Sequence, residues 1–537
     1  MIRKLLTGIA ALAAGLSATA ARAEWHQATS NNFVVYSQGS AADARDFAAK
    51  LERFHYVLRT FHRITATTMP NKLRVFLLSS AGAVGRQAGS GSVAGYYVPD
   101  ARGLMLVGTS ARSSGGDGDP RSAQSQANLD PESILLHEYT HHFMYQYFPA
   151  AYPTWYSEGF AEFWGSTRFG ANDVVSVGGA AEHRFSTFRA LGWFPLDRLL
   201  RVHNYREAGG ANVFLLYAEG WLLVRYTFQH RDRQQQLQTY LRLINNGTDY
   251  AAAAQQAFPD LDRFNSELFN YAGSARFDVL TLPFRTIDVG PITVSTPGPA
   301  EQALMTQEIK LSQGYPQREA AAFANEVKGI AARFPNDPFA LRLVMETAFL
   351  ANDMAGATDA ANRLLAVQPD NARALTIKGT IQVNGLAAAQ NRDAAAWNAA
   401  RAPLLRARQA APRDPVVLRA FYRGYALQGG MPPEEAQNAL YDAMELAPSD
   451  GEIRYELASD FERRRMIPEA IAVIRPEANS FPHRGNESDA DRRRREELEE
   501  RNRQAGTVRH ETPLEMLNRL QALLTPHQQE RQREAGH

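Results

Sequence analysis

Apolar residues follow two patterns in the first hundred or so positions, short continuous runs and a helical spacing. Together they predict alternating strands and helices. Phe33–Tyr36 and Leu73–Leu78 have the short apolar runs of strands. Ala41–Phe61 carries apolar residues at every third or fourth position, which predicts a helix. Tyr96–Val98 and Leu104–Val107 predict two further strands joined by a turn. We therefore expect residues 24–130 to form an α/β unit.

The pattern changes to a helical one in residues 131–275. Asp130 is a favourable N-cap for a helix whose first residue is Pro131, because proline is tolerated at that position. Phe214–Phe228 and Leu261–Tyr271 predict two more helices. Residues 276–300 have β character and end in a proline- and glycine-rich linker, where we expect a domain boundary.

Residues 301–483 predict an array of helix pairs. One short phrase recurs, with its prolines at Pro335, Pro369, Pro412, Pro448 and Pro482, and these are spaced by 34, 43, 36 and 34 residues. A helix–turn–helix period of about 34 residues resembles the tetratricopeptide repeat, in which proline ends each second helix. An irregular bundle with proline-ended helices is the alternative.

Both ends of the chain differ from the rest. Residues 1–23 have a basic start, a short apolar stretch and the small-x-small triplet Ala21–Ala23, as a secretory signal does. Cleavage near Ala23 would make the protein periplasmic or secreted, in a bacterium, with no transmembrane segment in the mature chain; an uncleaved anchor is the alternative. Residues 484–537 predict a charged tail with one short amphipathic helix.

Composition excludes several classes of function. The 537 residues carry 58 basic and 57 acidic side chains, and this near-zero balance argues against a nucleic-acid partner. The sequence has no cysteine, so disulfides, thiolate metal sites and cysteine nucleophiles are excluded. A metal site in this chain must use histidine and carboxylate ligands.

A metal-binding pattern lies on the first helix of the second unit. His137, Glu138 and His141 form the sequence H-E-x-x-H. Residues four apart share one face of a helix, so both imidazoles can reach one ion at about 2.0–2.1 Å. Glu138 lies beside the ion rather than on it, where it can act as a general base toward metal-activated water.

A second acidic helix completes the pattern. The stretch Trp155–Trp164 contains Glu158 and, one helical turn later, Glu162. A turn with two prolines separates it from His141, so Glu158 can face the histidines and form a site of two histidines and one glutamate with an open fourth position. Glu162 is then placed to orient a ligand histidine through its other ring nitrogen.

With these residues the chain resembles the gluzincin metallopeptidases, and in particular peptidase-MA-like bacterial proteins. The resemblance covers about residues 25–275. It implies one Zn²⁺ held by His137, His141 and Glu158, with Glu138 as catalytic base and Glu162 behind the ligands. It also implies an α+β chain, in which a catalytic domain with a small mixed sheet and active-site helices precedes an all-α repeat domain.

The resemblance implies two further assignments. Gluzincins bind substrate along the edge strand of the sheet, and the residues here would be Gly103, Leu104, Met105 and Leu106. The clan also uses a downstream tyrosine or histidine to stabilise the oxyanion, and Tyr217 is the candidate, with Tyr226 as the second choice.

The function implied is hydrolysis of a peptide or protein substrate by an exported zinc peptidase. The helical repeats would bind a protein partner or recruit the substrate. The alternative is a non-catalytic zinc fold that serves, with its repeats, as a scaffold for protein–protein interaction in the cell envelope. Zinc content and chelator-sensitive cleavage distinguish the two.

Overall fold

The structure is a computed structural model that describes most of the chain. The described residues are 24–91, 93–110, 130–170, 174–179, 187–188, 190–203, 205–209, 212–273, 279–282, 284, 287–479 and 511–524. The expected signal segment, most of the polar loop before Pro131, and the charged run 489–502 lie outside these ranges. The fifth proline phrase, at Pro482, lies outside them as well.

Within the described ranges, nine strands form a six-stranded mixed sheet and a three-stranded antiparallel sheet. The strands are β1 His26–Thr29, β2 Phe33–Ser37, β3 Leu73–Leu78, β4 Tyr96–Val98, β5 Met105–Thr109, β6 Arg168–Phe169, β7 Val175–Val177, β8 Leu280–Leu282 and β9 Thr293–Ser295. The order in the large sheet is β4-β5-β3-β2-β1-β9, and that in the small sheet is β6-β7-β8. β2, β3 and β5 are parallel, whereas β4, β1 and β9 pair antiparallel with their neighbours. Among the described strands, β4 therefore forms one edge of the large sheet.

Helices make up most of the remaining described chain. In the first half they are α1 Ala41–Phe61, α2 Ala81–Ala88, α3 Pro131–Tyr147, α4 Thr154–Gly165, α5 Leu196–Leu199, α6 Tyr205–Ala208, α7 Asn212–Gln229, α8 Arg231–Asn245, α9 Tyr250–Ala257 and α10 Leu261–Gly273. In the second half they are α11 Pro299–Gln313, α12 Ala320–Ala331, α13 Pro338–Leu350, α14 Met354–Val367, α15 Ala372–Ala388, α16 Ala394–Ala410, α17 Pro415–Ala426, α18 Glu434–Leu446, α19 Gly451–Arg463, α20 Ile467–Asn479 and α21 Pro513–Ala522.

The large sheet is covered on both faces. One face packs against α1 and α3 through buried residues such as Val35, Val75 and Leu136. The other face packs against α2 and α11, where Met305 and Ile309 contact Phe76 and its neighbours. Alternate residues of a strand point to opposite faces, which is why Val75 and Phe76 belong to different clusters. The first helix after the expected boundary thus belongs to the packing of the sheet.

A second apolar cluster forms around α7 to α10, with Trp155 and Tyr240 among its largest side chains. It lies behind α4, so that α4 is packed between α3 on one side and α7 on the other. These three helices together position the candidate site.

The recurring proline phrase has a clear structural role in the second half. Each described proline follows the end of one helix, and an Asp or Asn two residues later caps the next. Asp337, Asn371, Asp414 and Asp450 each accept hydrogen bonds from backbone N–H groups in the first turn of α13, α15, α17 and α19. The cap satisfies donors that have no partner within the helix, and this explains why the phrase repeats with each helix pair.

The structure confirms that the chain is α+β, with a small mixed sheet and many helices. It also corrects two details. The stretch from Gly103 to Leu106 is wrong as the edge strand, because β5 lies between β4 and β3. Asp130 precedes the first helical residue as expected but makes no capping hydrogen bond, since its carboxylate accepts one from Arg168 instead. None of the described helices has the length and apolar character that a membrane-spanning segment needs.

Candidate metal centre

Helix α3 brings His137, Glu138 and His141 to the interior of the protein. Its apolar residues Leu135, Tyr139 and Phe143 are fully buried against the sheet and α1. The helical repeat of 3.6 residues then directs positions 137 and 141 to another face, toward α4. His141 is 1% exposed, so the site lies below the surface at this helix.

Glycines allow α4 to approach both of its neighbours, α7 and α3, at very short distance. A Cβ atom on Gly159 would lie 2.2 Å from the backbone of Gly220 in α7, and one on Gly220 would lie 2.2 Å from the carbonyl oxygen of Trp155. On the other side of α4, Gly165 lies close to α3, and a Cβ atom on Gly165 would lie 3.0 Å from the Cβ atom of His137. Helix backbones approach this closely only where side chains are absent. Glu158, next to Gly159, is thereby held against α3.

Three potential ligand atoms converge at this contact. His137 Nε2 lies 3.1 Å from His141 Nε2 and 3.3 Å from Glu158 Oε2, and His141 Nε2 lies 3.5 Å from the same carboxylate oxygen. Within the described residues these three form a group that could hold a metal ion. The expected convergence of two imidazoles and a carboxylate from the next helix is thus present.

The separations fit a tetrahedral ion. Tetrahedral ligands with bonds of about 2.0–2.1 Å stand about 3.3 Å apart, and the three observed distances scatter around that value. Two histidine nitrogens and one carboxylate oxygen are also a donor set that zinc accepts. The residues present therefore fit a Zn²⁺ ion; their roles as ligands remain a prediction.

The surrounding charges favour a cation. Burial alone would lower the pKa of His137, but the hydrogen bond to Glu158 and the charges of Glu162, Glu158 and Glu138 raise that pKa to about 9. Three carboxylates around one buried point create a negative potential that a divalent cation would neutralise.

The outer nitrogens of both histidines face polar side chains. Glu162 Oε1 lies 3.6 Å from His137 Nδ1, as the spacing of Glu158 and Glu162 on one helix face predicts. Ser157 Oγ lies 3.3 Å from His141 Nδ1, and the Tyr145 hydroxyl lies 3.4 Å from Ser157 Oγ. Contacts of this kind fix the orientation of a histidine ring, here with the two inner nitrogens directed toward each other.

Glu138 lies beside this group rather than in it. The residue is 6% exposed, and its Oε2 atom is buried without a hydrogen-bond partner among the described residues. A buried carboxylate oxygen is normally hydrogen-bonded, because leaving it without a partner costs free energy. A partner such as a reacting water molecule would satisfy it.

The structure also shows where the remaining candidates lie. Tyr217 is half-buried on α7 and packs against the apolar cluster around Trp155. Tyr226 is in the same cluster and donates a hydrogen bond to Glu267. The role of Tyr217 in stabilising an oxyanion remains a prediction.

Sequence reasoning missed Ser157, Tyr145 and the two glycines at the contact of α4 with α7. The position of Tyr145, one turn after His141 on the same helix face, was a signal that could have identified it. The other three act through contacts between helices, which periodicity does not report.

We expect Glu162→Gln to weaken zinc binding by about 10-fold to 100-fold, because removing the carboxylate beside a ligand histidine loosens its orientation and basicity. Competition with a chromogenic chelator measures the affinity. The control is Glu319→Gln in the helical array, where Glu319 is half-buried and pairs with its neighbour Arg318, and this change should leave the affinity unchanged. Equal affinities in the two variants would contradict the role of Glu162.

No protein-family model matches this chain, and no curated protein resembles it at a significant level. Any functional assignment therefore depends on the residues and geometry of the site.

Proposed function

We propose that this chain is an exported, zinc-dependent peptidase of the gluzincin type. One observation carries the proposal: Glu138, whose charge acts on His137, has a buried carboxylate oxygen without a partner among the described residues, and His137 belongs to a group of three ligand atoms spaced for a tetrahedral ion. A purely structural zinc site needs four protein ligands and no adjacent base. The expectation of export depends on residues 1–23.

The residues would divide the work as follows. A bound zinc ion supplies Lewis acidity, which polarises the scissile carbonyl and acidifies water. Glu138 accepts a proton from the attacking water at its carboxylate and delivers it to the leaving nitrogen. Glu162 and Ser157 keep the rings of His137 and His141 in their binding orientation.

The low exposure of the site strengthens this chemistry. Glu138, His141 and Glu158 are all buried. Electrostatic interactions are stronger where water is excluded, because the local dielectric constant is low. A bound zinc ion and the carboxylates would neutralise each other's charge, and this would offset the free-energy cost of burying them.

We place the peptide substrate along β4, the described edge of the sheet next to α3. Tyr97 of β4 lines the same small cavity as His141. An edge strand offers backbone groups with which an extended peptide can pair, so it supplies affinity that is independent of side chains. The helical array would contribute a protein partner or a means of recruiting substrate.

The proposal is tested on the purified full-length chain. Zinc is quantified by elemental analysis, and a casein-type substrate and a peptide library are incubated with the protein before and after chelation. We expect about one zinc ion per chain and cleavage that stops on chelation and returns with added zinc. A metal-free chain, or cleavage indifferent to chelation, would favour the scaffold alternative and overturn the proposal.

A further inference from the structure

The helical array is anchored on the sheet at its N-terminal end. Met305 and Ile309 of α11 are part of the apolar cluster on the outer face of the sheet. Glu308 of the same helix is buried and forms ion pairs with the half-buried Arg74 of β3 and Arg342 of α13. Burial opposes ionisation of Glu308, but the two arginines outweigh it and lower its pKa to about 2. Separating this junction would cost free energy, because it would expose apolar surface and break the ion pairs of a buried carboxylate.

The array returns to the sheet near its C-terminal end, at the turn 447–450 between α18 and α19. The backbone N–H of Ala101 donates a hydrogen bond of 2.9 Å to Asp450 Oδ2. Asn71 donates one of 3.3 Å to the carbonyl of Leu446, and the Tyr97 hydroxyl lies 3.5 Å from Ser449 Oγ. Residues at and just after the edge strand β4 thus face this turn.

The turn closes the site on the side of His141. A cavity of about 30 Å³ lies between the two parts of the chain, with His141, Tyr145 and Tyr97 on one side and Ser449 and Glu477 on the other. This volume holds only about one or two water molecules, and a peptide side chain does not fit. In this conformation a peptide could not lie along β4 next to His141.

The two junctions differ in the kind of contact. The buried apolar cluster of the last helices, α15 to α21, includes from the sheet side only the half-buried Ala101 among the described residues. The hydrogen bonds at the turn can be exchanged for hydrogen bonds to water at small cost, whereas the junction at α11 would expose apolar surface and buried charges. The C-terminal end of the array can therefore separate from the sheet while the N-terminal end stays attached.

We propose that residues 434–479, which we call the C-terminal lid, cover the His141 side of the metal centre and must open to admit substrate. The inference depends on the proposed function, because it names how access to that same site is regulated. Asn71, Ser449 and Asp450 provide contacts that hold the lid closed. Arg475 of the lid adds a hydrogen bond to the carbonyl of Asn245 at the end of α8. The state described by the structure is thus a self-inhibited one.

The absence of native cysteine allows a clean test by cross-linking. A variant with Ala101→Cys and Ser449→Cys is joined by a short bis-maleimide that contains a reducible bond, and it is loaded with zinc. We expect the cross-link to slow both peptide cleavage and the extraction of zinc by a chelator by at least about tenfold, because a lid that opens rarely limits both. Reduction of the linker should restore both rates.

A matched cross-link at the anchored end serves as control. Gln87 of α2 and Thr306 of α11 lie next to each other at the surface, with the Gln87 amide 3.5 Å from the Thr306 carbonyl. A cysteine pair at these positions, joined by the same linker, should change neither rate. In the opposite direction, Asn71→Ala combined with Ser449→Ala should raise both rates several-fold, because two contacts of the closed state are lost.

The possible results separate the two proposals. Unchanged cleavage and unchanged zinc extraction after cross-linking positions 101 and 449 would overturn the lid and leave the peptidase assignment intact. Slower zinc extraction without peptide cleavage in any variant would support the lid and overturn the peptidase assignment. Equal slowing by the control cross-link would overturn the lid, since the effect would then not depend on the turn.

Discussion

Replacing Glu138 by glutamine should reduce peptide cleavage by about 10²–10⁴-fold, the usual contribution of a general base, while zinc content stays unchanged. Glutamine has the same shape but cannot accept the proton. Glu138 Oε2 has no hydrogen-bond partner among the described residues, so an amide nitrogen at that position breaks no hydrogen bond. The variant should therefore fold and bind zinc as the original chain does.

The control for this substitution is Glu132→Gln in the first turn of the same helix. Glu132 is half-buried and pairs with Lys50 at 2.5 Å, away from the ligand group. We expect it to retain cleavage. Steady-state rates on one cleaved library peptide, with zinc measured in each preparation, provide the comparison. Full cleavage by Glu138→Gln would remove Glu138 from the mechanism.

Gly159→Ala should destabilise the protein strongly, although it adds only one methyl group. The new Cβ would lie 2.2 Å from the carbonyl carbon and oxygen of Gly220, and neither backbone atom can move aside like the end of a side chain. We expect the free energy of unfolding to fall by about 1–3 kcal/mol as α4 and α7 separate. Zinc affinity should fall as well, because Glu158 adjoins the contact.

Gly329→Ala is the matched control for the same chemical change. Gly329 lies in α12, and a Cβ there would meet no atom within 4 Å. Alanine is the better helix former, so this variant should be up to about 1 kcal/mol more stable. Urea denaturation with zinc in excess measures both. Equal stability of the two variants would show that α4 and α7 do not need their close contact.

If Gly159→Ala retains stability but loses zinc affinity, the contact serves mainly to place Glu158. If it loses both, packing and ligand placement depend on the same helix contact, as the structure indicates. The two measurements together show whether the helix contact stabilises the fold, positions Glu158, or does both. Metal binding stabilises only a folded chain with its ligands in place.

Periodicity predicted the helices and strands well because it reports local geometry. The bounds of α1, Ala41–Phe61, and of β3, Leu73–Leu78, agree with those expected. The positions of His137 and His141 on one helix face follow from the same 3.6-residue repeat. The proline phrase marked the helix pairs of the array, because a cap is determined by residues adjacent in sequence.

Contacts between distant segments were predicted less well. The edge strand was assigned to Gly103–Leu106, but β4 pairs outside β5, and strand order depends on how the sheet assembles rather than on either strand's own residues. The array was expected to begin after a boundary near residue 300, yet α11 packs on the sheet. Nothing in the sequence indicated that the turn 447–450 lies next to His141.

The sequence by itself determined which residues can bind a metal and which helix faces they share, since both depend on residue type and a fixed helical repeat. Only the tertiary structure decided that Glu158 meets the two histidines, that Ser157 contacts one of them, and that the turn 447–450 shares a small cavity with His141. The first two arrangements depend on where helices cross, here at Gly159 and Gly220, and all three join residues that are far apart along the chain.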